Sequence, residues 1–151
     1  MEPVFDAYFQ EQAFNKALAH FSQAAERGLE ALGFLLGSVF SFNGRKYVVV
    51  EDYVTADNDA TVVSVSFSPH AFERLAQELK EKKEKVIVGW AHSHPSYGCF
   101  LSSTDVRTQR VFFPEDFHFA LVCDPVREES KAFKVRDGRA QEVSFAVVRR
   151  K

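Results

Sequence analysis

Apolar residues near the start of the chain recur with the period of a helix. Offsets of four, seven and eleven residues place four of them on one face: Phe14, Leu18, Phe21 and Ala25. Gly28 follows them, and glycine is common where a helix stops. We therefore predict an amphipathic helix over residues 7–28.

The pattern then changes to one typical of strands. Residues 29–42 are mostly apolar, and residues 45–54 form a second such run. Asn43-Gly44 between them is a strong signal for a tight turn, so the two runs predict a β-hairpin. After a polar loop, residues 61–67 alternate between apolar and polar side chains, which predicts a third strand.

A second helix is predicted directly after this strand. Ser68 is a good helix cap, and Pro69 is accepted at the first helical position. The apolar stripe of this helix would consist of Phe72, Leu75, Ala76 and Leu79. The charged residues 80–85 at its end are expected to be solvated rather than to form a binding patch.

The second half of the chain predicts strands around one further helix. The predicted elements are a strand over 86–90, a helix over 102–112, a strand over 117–123, and a last hairpin formed by 131–136 and 141–148 around Asp137-Gly138. The length and the order of elements predict one α/β domain of the α+β type over residues 1–151. Its sheet is expected to be mixed, mostly antiparallel and flanked by helices.

Composition narrows the class of protein. Of the 151 residues, 46% are hydrophobic, as expected of a globular chain with its own core. The formal net charge of -2 gives no electrostatic footprint for nucleic acid, and no apolar run approaches the roughly 20 residues that span a membrane. The N-terminus does not resemble a signal peptide and there are only two cysteines, so we expect a cytoplasmic protein.

The stretch from Trp90 to Asp105 holds the candidate chemistry. Side chains two residues apart on a strand point to the same face, so His92 and His94 are expected to lie side by side. The strand then breaks, and the start of the predicted helix returns Ser102 and Asp105 toward its end. Two neutral nitrogens and one carboxylate suit a borderline metal such as Zn²⁺ and leave a fourth position for water, as in catalytic zinc sites.

A carboxylate earlier in the chain is the candidate general base. Glu30 is a lone acid that enters the apolar run of residues 29–42. A zinc hydrolase needs a base that takes a proton from the zinc-bound water and later gives it to the leaving amine. Zinc lowers the pKa of this water from about 15.7 to about 7, so a glutamate can complete the deprotonation at neutral pH.

These residues together resemble a known family. The pattern is a glutamate three residues before a glycine, then His-Ser-His-Pro, six residues, Ser, two residues and Asp. It resembles the JAMM (MPN+) metalloproteases, and in particular the proteasome-lid deubiquitinases and archaeal JAMM proteins. The resemblance covers nearly the whole chain, and it implies an MPN/JAB1 domain with a cytidine-deaminase-like fold.

The resemblance also implies roles for single residues. His92, His94 and Asp105 would be zinc ligands, Glu30 the general acid/base, and Ser102 a donor to the tetrahedral oxyanion. Family members cleave the isopeptide bonds of ubiquitin or ubiquitin-like modifiers, so conjugates of these proteins are the implied partners. The modifier's tail is expected to add as a strand to an exposed edge, and the implied contact regions are residues 67–86 and 106–116.

Each candidate residue also has a plainer interpretation. The two histidines could be a surface pair at a strand end, and Ser102 with Asp105 could cap a helix and do nothing more. Glu30 could be a solvated helix-end residue, in which case Glu51 is the rival base. The remaining histidines are expected to have packing, surface or structural roles, and the tryptophan to lie beneath the site: His20, His70, His118 and Trp90.

Two other functions stay open at this point. One is a peptidase that processes a sulfur-carrier or ubiquitin-like protein, and the other is a non-catalytic MPN scaffold. The chain ends at Lys151 without the long C-terminal helices of lid subunits, which predicts a free-standing enzyme. Because Cys99 lies in the site loop and Cys123 on the following strand, a disulfide between them is a further hypothesis.

Overall fold

The computed structural model describes residues 4–55, 77 and 85–149 of the chain. The strand predicted over residues 61–67 and the helix predicted from Ser68 lie outside this part, apart from residue 77. In chain order the elements are β1 (Ala7–Gln10), α1 (Glu11–Glu26), β2 (Leu32–Phe42), β3 (Arg45–Thr55), β4 (Val86–Ser93), α2 (Ser103–Phe112), β5 (Phe119–Asp124), β6 (Glu129–Arg136), β7 (Arg139–Val143) and β8 (Phe145–Val148).

The described strands form one mixed sheet in the order β7-β6-β5-β4-β2-β3-β1-β8. Antiparallel ladders join β2 to β3 and β4, and β6 to β5 and β7. Parallel ladders join β4 to β5, and β1 to β3 and β8. The mixed sheet was predicted, and β4 lies in its interior between β2 and β5.

The start of the chain corrects one prediction. Residues 7–10 are strand β1 rather than the first turn of a helix, and α1 begins at Glu11. Ala7 and Phe9 are buried while the residues between and after them are half-buried, which is the two-residue period of a strand. This short segment becomes a strand because it fits between β3 and β8, a long-range pairing that the local pattern does not reveal.

The end of α1 follows the prediction at Gly28. The N–H of Gly28 donates to the Ala25 carbonyl at 3.0 Å, and the N–H of Leu29 donates to the Ala24 carbonyl at 2.9 Å. This pair of bonds is a Schellman motif, which needs a left-handed residue, and Gly28 has φ +69°. The motif turns the chain sharply and delivers the next residues, Glu30 among them, to the start of β2.

The predicted hairpins are present, with one change at the last strand. Asn43 and Gly44 have φ 51° and 79°, as a two-residue turn between β2 and β3 requires. The hairpin around Asp137-Gly138 joins β6 and β7. Residues 141–148 are two strands rather than one, because the chain leaves β7 after Val143 and β8 pairs with β1 at the opposite edge.

The core lies on both faces of the sheet. On one face α1 contributes Ala13, Ala17, Phe21 and Ala24, which are buried against strand residues. On the other face Trp90 and Phe113 anchor a second cluster beside the site. No helix in the described residues is long and apolar enough to cross a membrane.

Candidate metal centre

Strand β4 presents the two histidines from the middle of the sheet. His92 pairs with Leu32 of β2 and Val122 of β5, and its side chain is 1% exposed. His94 follows the end of β4, where its N–H donates to the Cys123 carbonyl at 2.8 Å. The two imidazoles face each other with 3.1 Å between their Nε2 atoms, as the strand spacing predicts.

The start of α2 brings a carboxylate to the same point. Ser102 caps this helix, and its Oγ accepts the N–H of Asp105 while the Asp105 carboxylate accepts the N–H of Ser102. The Oδ2 atom of Asp105 lies 3.1 Å from His92 Nε2 and 3.4 Å from His94 Nε2. The capping interpretation of the Ser-x-x-Asp pattern is confirmed, and the same capping box aims Asp105 at the histidines.

These three side chains fit a divalent metal. Their ligand atoms all lie within 4.8 Å of one another, and all three residues are buried. Bond lengths of 2.0–2.1 Å at tetrahedral angles separate two zinc ligands by roughly 3.3 Å, close to the observed spacings of 3.1, 3.1 and 3.4 Å. Two imidazoles and a carboxylate are also a donor set that zinc accepts.

Burial and hydrogen bonding set the charges of the three groups. Burial lowers the pKa of His92 and favours the neutral imidazole that binds a metal. Burial acts the same way on His94, but its hydrogen bond to Asp105 and the charge of that carboxylate leave its pKa raised. Burial opposes ionisation of Asp105, yet hydrogen bonds from both imidazoles outweigh it and hold the pKa of Asp105 well below its usual range.

Trp90 orients His92 by stacking against its ring. Its indole ring stacks on the imidazole with 4.5 Å between ring centroids and 9° between ring planes, and it also stacks on Phe113. The indole N–H donates to Oε1 of Gln109, a buried residue of α2. His92 Nδ1 has no hydrogen-bond partner among the described residues, so stacking and the Nε2 contact with Asp105 hold this ring. Trp90 lies beneath the site, as expected.

His94 is oriented by the loop that follows it. Its Nδ1 lies 3.3 Å from the Gly98 carbonyl, and because a carbonyl only accepts, the imidazole must donate from Nδ1. When the ring is neutral, as metal binding requires, Nε2 is then the nitrogen with the lone pair. The ring of Phe100 packs against that of His94, with 4.9 Å between the ring centroids. Phe100 and Tyr97 lie beside the site and are 47% and 58% exposed.

Glu30 is held near the three ligands by Ser93. Ser93 Oγ accepts the Ala31 N–H at 2.9 Å, and the Ser93 N–H donates to the Ala31 carbonyl at 3.0 Å. The neighbouring Glu30 is half-buried. Burial raises the pKa of this carboxyl group, while the charge of His94 lowers it and that of Asp105 raises it. The structure thus brings Glu30 within electrostatic range of the centre.

The rival base and the other histidines lie elsewhere. Glu51 lies on β3 and accepts a hydrogen bond from Ser38 at 3.0 Å. The β3 residue that pairs with Gly33, near the start of β2, is Thr55. Glu51 precedes Thr55 by four residues, which is roughly 13 Å along the strand. His20 contacts the Tyr53 hydroxyl at 2.7 Å. His118 accepts the Glu115 N–H and donates to the Ile87 carbonyl, so it has the expected structural role. His70 lies outside the described residues.

The cysteines do not form the hypothesised disulfide. Cys99 and Cys123 are both free thiols. Cys123 is fully buried and accepts a hydrogen bond from the Ser130 hydroxyl at 3.3 Å, and burial raises the pKa of its thiol to about 12. Neither thiol belongs to the group of ligands.

Sequence reasoning missed three residues that build the centre. Ser93 lies between the two histidines, and its strand position predicts only that its side chain points away from them, yet it anchors the segment that carries Glu30. Gln109 lies four residues after Asp105, on the same buried side of α2, and this spacing was the available signal. Asp124 precedes Pro125 in a pattern typical of a turn, yet it is fully buried and accepts N–H groups of the loop that follows His94.

A family comparison now identifies the chain. Residues 7–114 match the family described as JAB1/Mov34/MPN/PAD-1 ubiquitin protease. The chain belongs to the JAB1/MPN family. The predicted fold class, an α+β MPN/JAB1 domain, is confirmed, and the resemblance to JAMM proteins rests on the residues that form the buried His-His-Asp group.

Individual relatives agree with this family. The chain is 32% identical over 122 residues to COP9 signalosome complex subunit 5 of Debaryomyces hansenii. The matched segment covers 76% of this chain and 25% of the relative. It is 35% identical over 123 residues to the 26S proteasome regulatory subunit RPN11 of Eremothecium gossypii. In this case the matched segment covers 80% of this chain and 38% of the relative. The chain therefore spans well under half the length of these relatives.

A solved structure supports the same fold. The solution structure of protein DSY2949 from Desulfitobacterium hafniense matches with a TM-score of 0.76 and covers 95% of this chain and 94% of that chain. The sequences are 22% identical. At this level of identity the match is evidence for the fold alone.

Proposed function

We propose that this JAB1/MPN protein is a zinc-dependent isopeptidase that removes ubiquitin or ubiquitin-like modifiers from conjugates. The observation that carries the proposal is the convergence of His92, His94 and Asp105 at ligand spacing with Glu30 in electrostatic range. A non-catalytic scaffold has no need for three buried ligands with a partly buried acid beside them.

In this proposal His92, His94 and Asp105 hold the zinc through His92 Nε2, His94 Nε2 and Asp105 Oδ2. When bound, the metal supplies Lewis acidity, which polarises the scissile carbonyl and lowers the pKa of a water molecule. Trp90 and the Gly98 carbonyl hold the two imidazoles in their binding orientation, by stacking in one case and by a hydrogen bond in the other.

Proton transfer is assigned to Glu30. Its carboxylate takes a proton from the attacking water and returns it to the lysine amine as the isopeptide bond breaks. Partial burial suits this role because it brings the pKa of the carboxyl group closer to the working pH. The hydroxyl group of Ser102 donates to the oxyanion that develops on the scissile carbonyl. Its Oγ already accepts from Asp105, which leaves the hydroxyl hydrogen for this purpose.

The substrate class is inferred from the family and from the rim of the site. The family description names ubiquitin proteases. Tyr97 and Phe100 provide an exposed apolar rim beside the ligands, which suits an extended peptide tail. The edges of the described sheet are β7 and β8, at least three strands from β4, so an added strand next to the site stays a prediction. The cytoplasmic location also stays a prediction.

The test is cleavage of an isopeptide-linked ubiquitin conjugate by zinc-loaded protein and by Glu30→Gln. The variant is expected to keep its zinc, because Glu30 is not assigned as a ligand, and to lose activity by about 100-fold or more. Glu51→Gln is the matched control and should retain activity, since Glu51 lies away from the centre. Equal loss in both variants would contradict the assignment of Glu30.

The same assay separates the alternatives. Activity on a sulfur-carrier adduct but not on ubiquitin conjugates would favour the processing peptidase. A protein that binds zinc and cleaves neither class of substrate would favour the scaffold. A wild-type protein that binds no zinc would overturn the metal centre and with it the proposed mechanism.

A further inference from the structure

Asp124 is a carboxylate that the proposed mechanism does not use. It is the last residue of β5, and it is fully buried. A buried carboxylate destabilises the fold unless its charge is compensated. Compensation comes mainly from four backbone N–H groups, with the partly exposed Arg127 guanidinium at 3.7 Å in addition.

The four N–H groups belong to two different segments. Oδ1 accepts the N–H groups of Val126 and Arg127, at 3.1 and 3.0 Å, which closes the turn between β5 and β6. Oδ1 also accepts the Ser96 N–H and Oδ2 accepts the Gly98 N–H, both at 2.9 Å. A residue that served only to form the β5–β6 turn would need the first pair of hydrogen bonds and not the second. The second pair joins this turn to the loop that follows His94.

That loop has a backbone conformation that needs external support. Ser96 has φ 68° and Gly98 has φ 84°, so two of three consecutive residues are left-handed, and one of them is not glycine. Such residues persist where surrounding contacts hold them. The N–H groups of these same two residues are the ones that Asp124 binds.

The loop in turn determines the state of His94. The Gly98 carbonyl lies 3.3 Å from His94 Nδ1, and this contact selects the tautomer in which Nδ1 carries the proton and Nε2 the lone pair. If the loop relaxed, the carbonyl would move and both the ring angle and the tautomer of His94 would be released. Metal-binding histidines depend on such a bond at their second nitrogen.

The geometry points to Asp124 as a positioning residue that fixes the loop of residues 95–99 and thereby sets the orientation and tautomer of His94 for metal binding. This inference rests on the metal centre assigned under the proposed function. It adds a side chain on which metal affinity depends and which lies outside the group of three ligands.

The decisive variant is Asp124→Asn, which has nearly the same shape. Its amide oxygen can still accept the three N–H groups that meet Oδ1, but its NH₂ group would face the Gly98 N–H, donor against donor. We expect zinc affinity, measured by competition with a chelator, to fall by about 10- to 100-fold. Asp137→Asn, in the exposed turn between β6 and β7, is the matched control and should bind zinc like the wild type.

A second measurement does not depend on zinc or on activity. The ¹⁵N chemical shifts of His94 in metal-free protein report its tautomer when they are recorded at alkaline pH, where the ring is neutral. The wild type should show Nδ1–H, and Asp124→Asn should show a mixture. Unchanged zinc affinity and an unchanged tautomer in Asp124→Asn would overturn the inference, even if the variant were less stable, because Asp124 would then be a structural residue only.

The outcomes separate this inference from the proposed function. A wild type that binds no zinc defeats the proposed function, while the tautomer comparison still decides the role of Asp124. If Asp124→Asn fails to fold, amide hydrogen exchange of the wild type decides instead. Strong protection of the Ser96 and Gly98 amides would support the role of Asp124 in holding this loop, and rapid exchange of both would overturn it.

Discussion

Ser102 and Asp105 hold each other through two reciprocal hydrogen bonds. The Ser102 N–H donates to Asp105 Oδ2 at 2.9 Å, and the Asp105 N–H donates to Ser102 Oγ at 3.1 Å. The same Oδ2 atom lies 3.1 Å from His92 Nε2. One oxygen thus serves the helix cap and the ligand group together, so a change in the cap is transmitted directly to the centre.

The cap gives a prediction that separates stability from catalysis. Ser102→Ala removes an N-cap, and we expect a loss of about 1 kcal/mol in the free energy of unfolding. If the hydroxyl group also donates to the oxyanion, kcat should fall by about 100- to 1000-fold. Ser102→Thr keeps the hydroxyl group and should retain most of the stability.

Ser103→Ala is the matched control for this prediction. Ser103 is the adjacent, exposed residue and does not belong to the group of ligands. Chemical unfolding and steady-state kinetics on the three variants make the comparison. A Ser102→Ala protein that loses stability but keeps kcat would show that Ser102 is only a cap.

Metal binding should stabilise the folded chain. A ligand that binds only the folded state at 100 times its dissociation constant adds about 2.7 kcal/mol. For a chain of this size, that corresponds to a rise of about 5–10 °C in Tm. Asp105→Asn weakens one of three ligands and should abolish most of the rise, as measured by calorimetry with zinc and with a chelator.

Asp116→Asn is the control for Asp105→Asn. Asp116 has a 70% exposed side chain whose ion pair is with Lys46, so its loss should leave the zinc-dependent rise intact. A zinc-dependent rise that persists in Asp105→Asn would contradict the assignment of this carboxylate as a ligand.

Trp90 should report metal binding directly. It is the only tryptophan, and its ring is stacked on His92 at 4.5 Å. Zinc at His92 changes the charge next to the indole, so tryptophan emission should change and saturate at about one zinc per chain. His92→Asn should lose the response. His20→Asn, which lies against Tyr53 and away from the centre, should keep it.

The ligand set could be predicted because it is local. His92 and His94 share a strand face, and Asp105 follows at a helix start, so a short stretch of sequence contains the whole group. Glu30 could be singled out as a lone acid entering an apolar run, but its place beside the ligands came only from the family resemblance. Its position depends on the Schellman turn at Gly28 and on Ser93, which act between segments far apart in sequence.

The parts that could not be predicted depend on long-range pairing. Residues 7–10 run directly into the helical pattern, and pairing with β3 and β8 makes them a strand. Asp124 looks like an ordinary turn residue next to Pro125, because nothing in its neighbourhood shows that two of its four N–H partners come from residues 96 and 98. Local pattern cannot encode a contact that only the folded sheet creates.

The last prediction concerns the pH dependence of stability. His118 is buried, accepts the Glu115 N–H at Nδ1 and donates to the Ile87 carbonyl from Nε2, so it is held neutral. Burial lowers its pKa, and the nearby Glu115 and Asp116 charges oppose this only in part. The unfolded chain binds the proton near pH 6.5, while the folded chain binds it only at lower pH. This contribution to stability is therefore full above about pH 6.5 and is lost as the pH falls below it.

His118→Gln should isolate this effect. The free energy of urea unfolding, measured in chelator at about pH 7.5 and about pH 5, should fall more for the wild type than for the variant. At the higher pH the variant should be less stable by about 1–3 kcal/mol, because a buried hydrogen-bond partner is lost. The comparison is between the wild type and the variant in how far the free energy of unfolding decreases from the higher to the lower pH. His92 and His94 titrate in both proteins, so their contribution cancels in this comparison. Equal falls would mean that His118 is not held neutral in the folded protein.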